Sequence, residues 1–182
     1  ASLKAIPSKY RFAAIRLNEN NTLNNPFEGI EYHRNIILDL NQDYGSIREN
    51  YHTNTKRNLA KAENHNLQLL YNVIPYHVVA LFRDNRGADL EKWGDTEYGT
   101  LISLGKSAQI RNSGFVLGVN EMGDGEILCA ALFMKANGRV TFLFSGLNEK
   151  GRERQAMSYL LEQVIQKYAG HSLTFDFEGS DD

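Results

Sequence analysis

A group of basic and hydrogen-bonding side chains follows a run of β-branched and aromatic residues at 139–145. The group consists of Asn148, Lys150, Gly151, Arg152 and Arg154. It lies at the start of a predicted helix, where free N–H groups and a partial positive charge bind phosphate groups readily. Cationic side chains at this end run against the helix dipole, so a bound anion such as a pyrophosphate would explain them. The alternative is an ordinary solvated turn.

The segments around this loop predict a strand–helix–strand unit. Residues 139–145 (RVTFLFS) have the composition of a strand. Apolar residues at 152–168 recur at the spacing of an amphipathic helix, and Gly170 stands where a glycine would end it. Residues 172–178 (SLTFDFE) alternate apolar and polar side chains, as a strand does. A crossover of this length makes the two strands parallel.

Turn signals upstream of this unit predict an antiparallel meander. Glycine-containing turns at 123–125 and 137–138 have the composition of hairpin loops. They separate strands at 115–122, 126–135 and 139–145. The middle strand is apolar on both faces, as a central strand covered by helices would be. We therefore predict an α/β (α+β) fold, a mixed sheet with a meander followed by a βαβ crossover and helices on both faces.

The first half of the chain predicts shorter elements. These are strands at 9–17, 35–41 and 67–73, and helices at 43–51, 50–66, 75–86 and 95–112. The predicted N-caps are Asp43 or Ser46, Thr53 or Asn54, and Asp95, whereas Pro75 is predicted to open the helix at 75–86. The asparagine-rich loop at 18–26 is the predicted boundary of an N-terminal segment at 1–34 and a domain at 35–182.

Composition restricts the classes of function. A net charge of −2 gives no global attraction to nucleic acid or anionic membranes, so any such contact must be local. The single cysteine, Cys129, excludes an intrachain disulfide, which fits a reducing compartment. No apolar run approaches the ~20 residues that span a bilayer, and no signal-peptide pattern opens the chain. We expect a cytoplasmic protein without a membrane span.

The sequence also lacks the common motifs of cofactor binding. Its five histidines are scattered without the spacing of metal ligands, so no metal site is predicted. Neither a P-loop nor a dinucleotide-binding fingerprint is present.

Two motifs resemble the signatures of the Fem-type peptidoglycan transferases, which are relatives of the GNAT acyltransferases. The first is TNTKRNLAKAE at 53–63, which resembles the threonine–arginine–alanine helix of that family. The second runs from SGLNE at 145–149 to DFEGS at 176–180. The predicted order of meander, helix and parallel strand is also that of a GNAT core.

The resemblance implies transfer of an acyl or aminoacyl group from a thioester or ester donor to an amine. In that bacterial-type family two GNAT-like domains stand in tandem. This chain would supply the second domain at 35–182, and residues 1–34 would be a strand and linker from the first. The donor would be an acyl-coenzyme A such as acetyl-coenzyme A, or an aminoacyl-tRNA. The acceptor would be the amine of a small molecule or of a cell-wall precursor.

Two features depart from the family pattern. The coenzyme A loop of ordinary GNAT enzymes is incomplete, since only Gly146 and Gly151 stand near its glycine positions. The family also continues beyond this last strand into a segment that contacts substrate, so we expect a domain truncated at its C-terminus. Both departures favour a rival hypothesis, a non-catalytic GNAT-like module that binds an acceptor or a partner domain. A second rival, the tRNA-binding half of a Fem-type enzyme, rests on the basic helix at 56–61.

Acyl transfer also implies roles for residues near the crossover. In the GNAT fold the two crossover strands separate, and free backbone groups between them, here at 142–146 and 174–178, hold the donor. Ser145 and Gly146 would join the basic loop in binding that donor. Asp176 and Glu178 share one strand face and would serve as general base, directly or through water. The alternative is a pair of solvated carboxylates at the end of a strand.

Three further residues are candidates for binding substrate. Lys56 and Arg57 would hold a phosphate of a nucleotide-linked substrate or of tRNA, and the alternative is a solvated helix face. Trp93, the only tryptophan, would line a substrate groove, and the alternative is a place in the core.

Overall fold

A computed structural model describes residues 7, 9, 34–71, 73–85, 87 and 93–178. The described helices and strands lie in a compact unit formed by His33–Asp182. The predicted strand at 9–17, apart from Lys9, and the asparagine-rich loop at 18–26 lie outside the described residues.

The strands and helices alternate along the chain in the order that a mixed α/β fold requires. The strands are β1 (Ile37–Asp39), β2 (Leu67–Leu70), β3 (Gly114–Glu121), β4 (Cys129–Ala136), β5 (Arg139–Leu147) and β6 (Thr174–Asp176). The helices are α1 (Tyr44–Glu49), α2 (Thr53–Glu63), α3 (Pro75–Arg83), α4 (Asp95–Ile110), α5 (Glu149–Glu153) and α6 (Ala156–Tyr168). Within the described ranges, no helix combines the length and apolar character that a bilayer span requires.

The strands form one mixed sheet in the order β1-β6-β5-β4-β3-β2. Strands β3, β4 and β5 make the antiparallel meander, and β5 and β6 make the parallel pair across α5 and α6. Strand β1 closes one edge antiparallel to β6, and β2 closes the other antiparallel to β3. This arrangement confirms the predicted fold class.

Helices cover both faces of the sheet because the central strand β4 is apolar on both. Cys129, Ala131 and Phe133 face α6, whereas Ala130 and Leu132 face α3. Burial of a large side chain such as Phe133, which is fully enclosed, contributes about 1.5–3 kcal/mol. The two apolar layers therefore fix β4 and its neighbour β5 between packed helices.

The predicted helix at 152–168 is wrong in its continuity, since the structure contains two helices there. Gln155 has φ 58, a left-handed conformation that interrupts the helical hydrogen bonds between α5 and α6. The strand before them continues to Leu147, and Asn148 caps α5 by accepting a hydrogen bond from Gly151 N–H at 2.7 Å. Gly170 has φ 78 and follows the end of α6, as predicted.

Two helix starts differ from prediction. Helix α2 begins at Thr53 with His52 as its N-cap, so neither Thr53 nor Asn54 is the cap. Helix α4 has Gly94 as its N-cap, because Glu97 reaches back to the N–H of Gly94 at 2.8 Å. The cap of α1 is Asp43, one of the two predicted residues, which accepts from Ser46 N–H at 3.0 Å.

Helix α3 lies unusually close to β5 at Gly146. A Cβ atom on Gly146 would lie 2.5 Å from the carbonyl oxygen of Val78 and 2.6 Å from the backbone nitrogen of Phe82. The absence of a side chain therefore permits the helix backbone to pack directly on the strand.

We expect Gly146→Ala to destabilise the protein by about 1–3 kcal/mol or more, since the added methyl group meets backbone that cannot rotate away. Urea unfolding followed by circular dichroism measures this change. Gly125→Ala is the matched control, because a Cβ there meets no atom within 4 Å. Equal stability of the two variants would contradict the close approach of α3.

A buried carboxylate joins α1 and the following turn to α6. Glu162 accepts a hydrogen bond from Tyr51 Oη at 2.7 Å and another from Tyr44 Oη. Burial raises the pKa of Tyr44 to about 12, and the bond to Glu162 and its negative charge act in the same direction. The neutral phenol is therefore the form that the fold stabilises.

The contribution of Tyr44 to stability should be complete below pH 10 and should be lost as the pH rises from about 10 to about 12. The reason is that the phenol ionises in the unfolded chain before it ionises in the folded one. Urea unfolding at a series of pH values measures the loss. Tyr44→Phe should reduce the steepness of the fall, whereas Tyr76→Phe, at an exposed tyrosine, should not; an identical fall in both variants would refute the assignment.

Candidate active site at the open edge of strand β5

Strands β5 and β6 pair over only three residues and then separate. Their ladder runs from Arg139↔Thr174 to Thr141↔Asp176. Beyond it, residues 142–147 of β5 pair with β4 on one side and with no described strand on the other. We call the space between residues 142–147 and the end of β6 the notch.

An irregularity in β5 lies where the notch begins. The register with β4 shifts between Leu132 and Phe133, whose partners are Phe144 and Phe142, so Leu143 is an extra residue. Such a bulge bends its strand and increases the local twist. The bulge lies two residues beyond Thr141, the last residue paired with β6, at the point where the two strands separate.

The open edge of β5 can bind an extended ligand through backbone hydrogen bonds. Unpaired N–H and C=O groups on a strand edge form a ready template for such pairing. The predicted donor-binding residues Ser145 and Gly146 both lie on this stretch. Ser145 is partly exposed, whereas Gly146 is buried beneath α3.

Aromatic rings line the α3 side of the notch. The ring of Phe144, on the open part of β5, lies 4.6 Å from that of Phe82 and stacks on Trp93 at 6.0 Å with an interplanar angle of 9°. Trp93 also lies 5.7 Å from the ring of Tyr98. Trp93 is 38 % exposed, so it contacts the core with one part and solvent with another. Its role in lining a substrate groove stays a prediction.

Tyr98 and Phe144 are members of this cluster that the sequence did not single out. The Tyr98 side chain is buried, Arg83 lies 4.7 Å above its ring, and its hydroxyl has no hydrogen-bond partner among the described residues. Isolated aromatic residues are common in cores, and only the packing of α3 on β5 and of α4 on α3 brings these together.

Asp176 lies at the closed end of the notch and is engaged on both oxygens. It pairs with Arg139 through Oδ2 and accepts from Glu178 N–H through Oδ1 at 2.9 Å. Burial raises the pKa of Asp176, but the hydrogen bonds from Glu178 N–H, Arg139 and Asn35, together with the charge of Arg139, outweigh it and leave the pKa below its usual value. A carboxylate held in this way accepts a proton poorly.

Glu178 lies just beyond β6, at the mouth of the notch. Its side chain is exposed, and its φ of 54 places it in the left-handed region, where the strand cannot continue. Asp176 and Glu178 are therefore close in the structure but differ in environment: the first is buried and paired, and the second faces solvent.

The cations of the predicted phosphate loop have carboxylate partners within the chain. Lys150 Nζ lies 2.6 Å from Asp124 Oδ2 and 3.4 Å from Glu126 Oε2, and Arg154 pairs with Glu121. The hydrogen bond from Lys150 lowers the pKa of Asp124, and the same bond raises the pKa of Lys150. These carboxylates supply the counter-charge that we expected from a bound anion.

The remaining residues of this loop have mixed environments. The N–H of Gly151 is occupied by the side chain of Asn148, and a Cβ on Gly151 would lie 2.4 Å from the carbonyl oxygen of Leu128. Its lack of a side chain thus serves close packing. Arg152 is exposed on α5. Phosphate binding by this loop stays a prediction.

Lys56 and Arg57 lie on the exposed side of α2, away from the aromatic cluster. Helix α2 packs against α6, which covers the opposite face of the sheet from α3. Lys56 Nζ donates to the carbonyl oxygen of Glu49 at 2.7 Å, and Arg57 donates to Asn54 Oδ1 at 2.7 Å. The structure therefore does not bring these two residues together with Trp93.

The described residues contain no group of three histidine, cysteine, aspartate or glutamate side chains placed to hold a metal ion. Cys129 is buried in β4, and burial raises the pKa of its thiol. It therefore packs as a small apolar side chain.

Comparison with solved structures shows which class of fold this is. FemX has a similar fold, with a TM-score of 0.61 at 10% sequence identity, over 81% of this chain and 53% of FemX. A conserved protein of unknown function from Bacteroides thetaiotaomicron VPI-5482 gives a TM-score of 0.60 at 9% identity, over 81% of this chain and 50% of that protein. The chain thus spans about half the length of these structures.

No family model and no curated protein matches the sequence. The structural likeness at these identities concerns the fold alone. This domain has a Fem-like fold of the GNAT type, as the sequence motifs predicted.

If this loop holds the pyrophosphate of coenzyme A, Lys150→Ala with Arg152→Ala should weaken coenzyme A binding about tenfold or more, since a charged hydrogen bond contributes about 1.5–3 kcal/mol. Asp124→Asn should strengthen binding, because it frees Lys150 from a competing carboxylate. Isothermal titration at low and moderate salt measures both effects. Lys106→Ala, on the exposed side of α4, is the control; unaltered affinity in the loop variants would remove the loop from the donor site.

Proposed function

We propose that this domain transfers an acyl or aminoacyl group to an amine, with the donor held in the notch. The observation that carries the proposal is the open edge of β5 at 142–147, which contains a bulge and belongs to a Fem-like fold. A donor with amide groups along its length can pair with this edge as an added strand would.

The chemistry requires little from the protein beyond position and polarity. The amine nitrogen attacks the donor carbonyl, the new C–N bond forms, and the C–S or C–O bond to the leaving group breaks. Backbone N–H groups at the notch would stabilise the negative oxygen of the tetrahedral intermediate. No covalent enzyme intermediate is needed, so the buried state of Cys129 is compatible with this mechanism.

Glu178 is the residue best situated to accept the proton that the amine loses. Its side chain is exposed at the mouth of the notch, where a direct contact or one bridging water reaches the acceptor. Asp176, by contrast, is already bound to Arg139 and to the backbone of Glu178.

The donor and its setting are further parts of the proposal. An acyl-coenzyme A and an aminoacyl-tRNA both present a reactive carbonyl on a phosphate-bearing carrier, and the acceptor is an amine of a small molecule or a cell-wall precursor. Lys56 and Arg57 would contact tRNA phosphates as the exposed cations of α2. The hypothesis further places the protein in the cytoplasm, with an N-terminal GNAT-like domain in a longer chain.

A specific observation favours a second candidate, a non-catalytic module that binds a partner or an acceptor. The predicted phosphate ligands Lys150 and Arg154 are already paired with carboxylates of the same chain. A phosphate-bearing donor would have to displace these ion pairs, which costs free energy. A module that binds no coenzyme A keeps them intact.

We expect transfer of radiolabel to hydroxylamine, a small general amine, from acetyl-coenzyme A or from a mixture of aminoacyl-tRNAs. Glu178→Gln should lower the rate about 100-fold or more, the typical contribution of a general base. Glu153→Gln, an exposed carboxylate on α5, is the matched control.

The donor from which the label is transferred shows whether the acyl group is carried by coenzyme A or by tRNA. For the tRNA donor, Lys56→Ala with Arg57→Ala should flatten the dependence of binding on salt, because two phosphate contacts are lost. Absence of transfer from every donor, together with specific binding of an acceptor, would favour the non-catalytic module.

A further inference from the structure

A largely enclosed ion pair spans the short ladder between β5 and β6. Arg139 Nη1 bonds to Asp176 Oδ2, and the two side chains are 18 % and 8 % exposed. Arg139 opens the three-pair ladder and Asp176 ends it. The pair therefore holds β6 against β5 over the whole length that the two strands share.

The second oxygen of the same carboxylate turns the chain away. Asp176 Oδ1 accepts from Glu178 N–H at 2.9 Å, and Glu178 has φ 54. A left-handed residue cannot extend a strand, so pairing with β5 stops at Thr141. One carboxylate thus joins the strands and ends their pairing.

From these contacts we propose that Asp176 is a positioning residue, which together with Arg139 fixes the point where β5 and β6 separate and takes no proton during transfer. The inference rests on the proposed function, since it assigns a role within the notch. The lowered pKa of Asp176 agrees with it. On the neighbouring strand β1 the charged residue Asp39 lies opposite Thr174, and the side chain of Asn35, before β1, hydrogen-bonds to Asp176.

Hydrogen exchange measured by mass spectrometry tests the positioning role without any substrate. Asp176→Asn and Arg139→Gln should each accelerate exchange across residues 172–178 about tenfold or more, and the double variant should exchange no faster than the faster single variant. Residues 129–136 of β4 serve as the internal reference.

Asp39→Asn is the matched control for this measurement. Asp39 makes the same hydrogen bond to the N–H two residues ahead, that of Asn41 at 2.9 Å, but it is exposed. It should leave exchange at 172–178 unchanged. The proposal is overturned if Asp176→Asn, like Asp39→Asn, leaves the exchange rate at 172–178 unchanged. It is also overturned if the accelerations caused by Asp176→Asn and Arg139→Gln multiply in the double variant.

The pH dependence of transfer separates a positioning residue from a base. If Asp176 were the base, Arg139→Gln would raise its pKa and move the acidic limb of the pH–rate profile to higher pH. We expect instead a lower rate at every pH with the limb unmoved, and substantial recovery in Arg139→Lys. A shift of the acidic limb overturns the inference.

If no donor is turned over, the proposed function fails, and the exchange measurement still decides whether Asp176 positions the strands.

Discussion

The structure depends on one constraint: β5 is paired on both edges where it begins and on one edge where it ends. A strand in the middle of a sheet normally satisfies all its backbone groups through its neighbours. Here the parallel ladder with β6 ends after Thr141, and the bulge at Leu143 turns the rest of β5 aside. The unsatisfied edge that results lies inside a sheet rather than at its border.

This open edge is rigidly supported from behind. Strand β4 pairs along almost the whole length of β5, and its apolar side chains are fixed by α6 on one face and by α3 on the other. The lack of a side chain at Gly146 allows α3 to rest on the strand backbone. The open edge is therefore backed by a close-packed interior on both faces of the sheet.

Charged residues of similar type acquire different properties according to their partners. Asp176 and Glu178 are two residues apart, yet one is buried against Arg139 and the other faces solvent. Lys150 stands at a helix start where an anion would be favoured, yet it contacts carboxylates from the turn after β3. A charge already paired within the chain is less available to a ligand, since displacing its partner has a free-energy cost.

The sequence by itself determined the class of fold and the order of its elements. Alternating and helical periodicities, glycine turns and the crossover length predicted the meander, the parallel pair and the two helical layers, because these depend on local pattern. Local pattern did not reveal the break at Gln155, whose left-handed backbone separates α5 from α6. Nor did it reveal the aromatic cluster around Trp93 or the ion-pair partners of Asp176 and Lys150. Those contacts join residues distant in sequence, so only the tertiary structure decided which predicted site residues are paired and which face the notch.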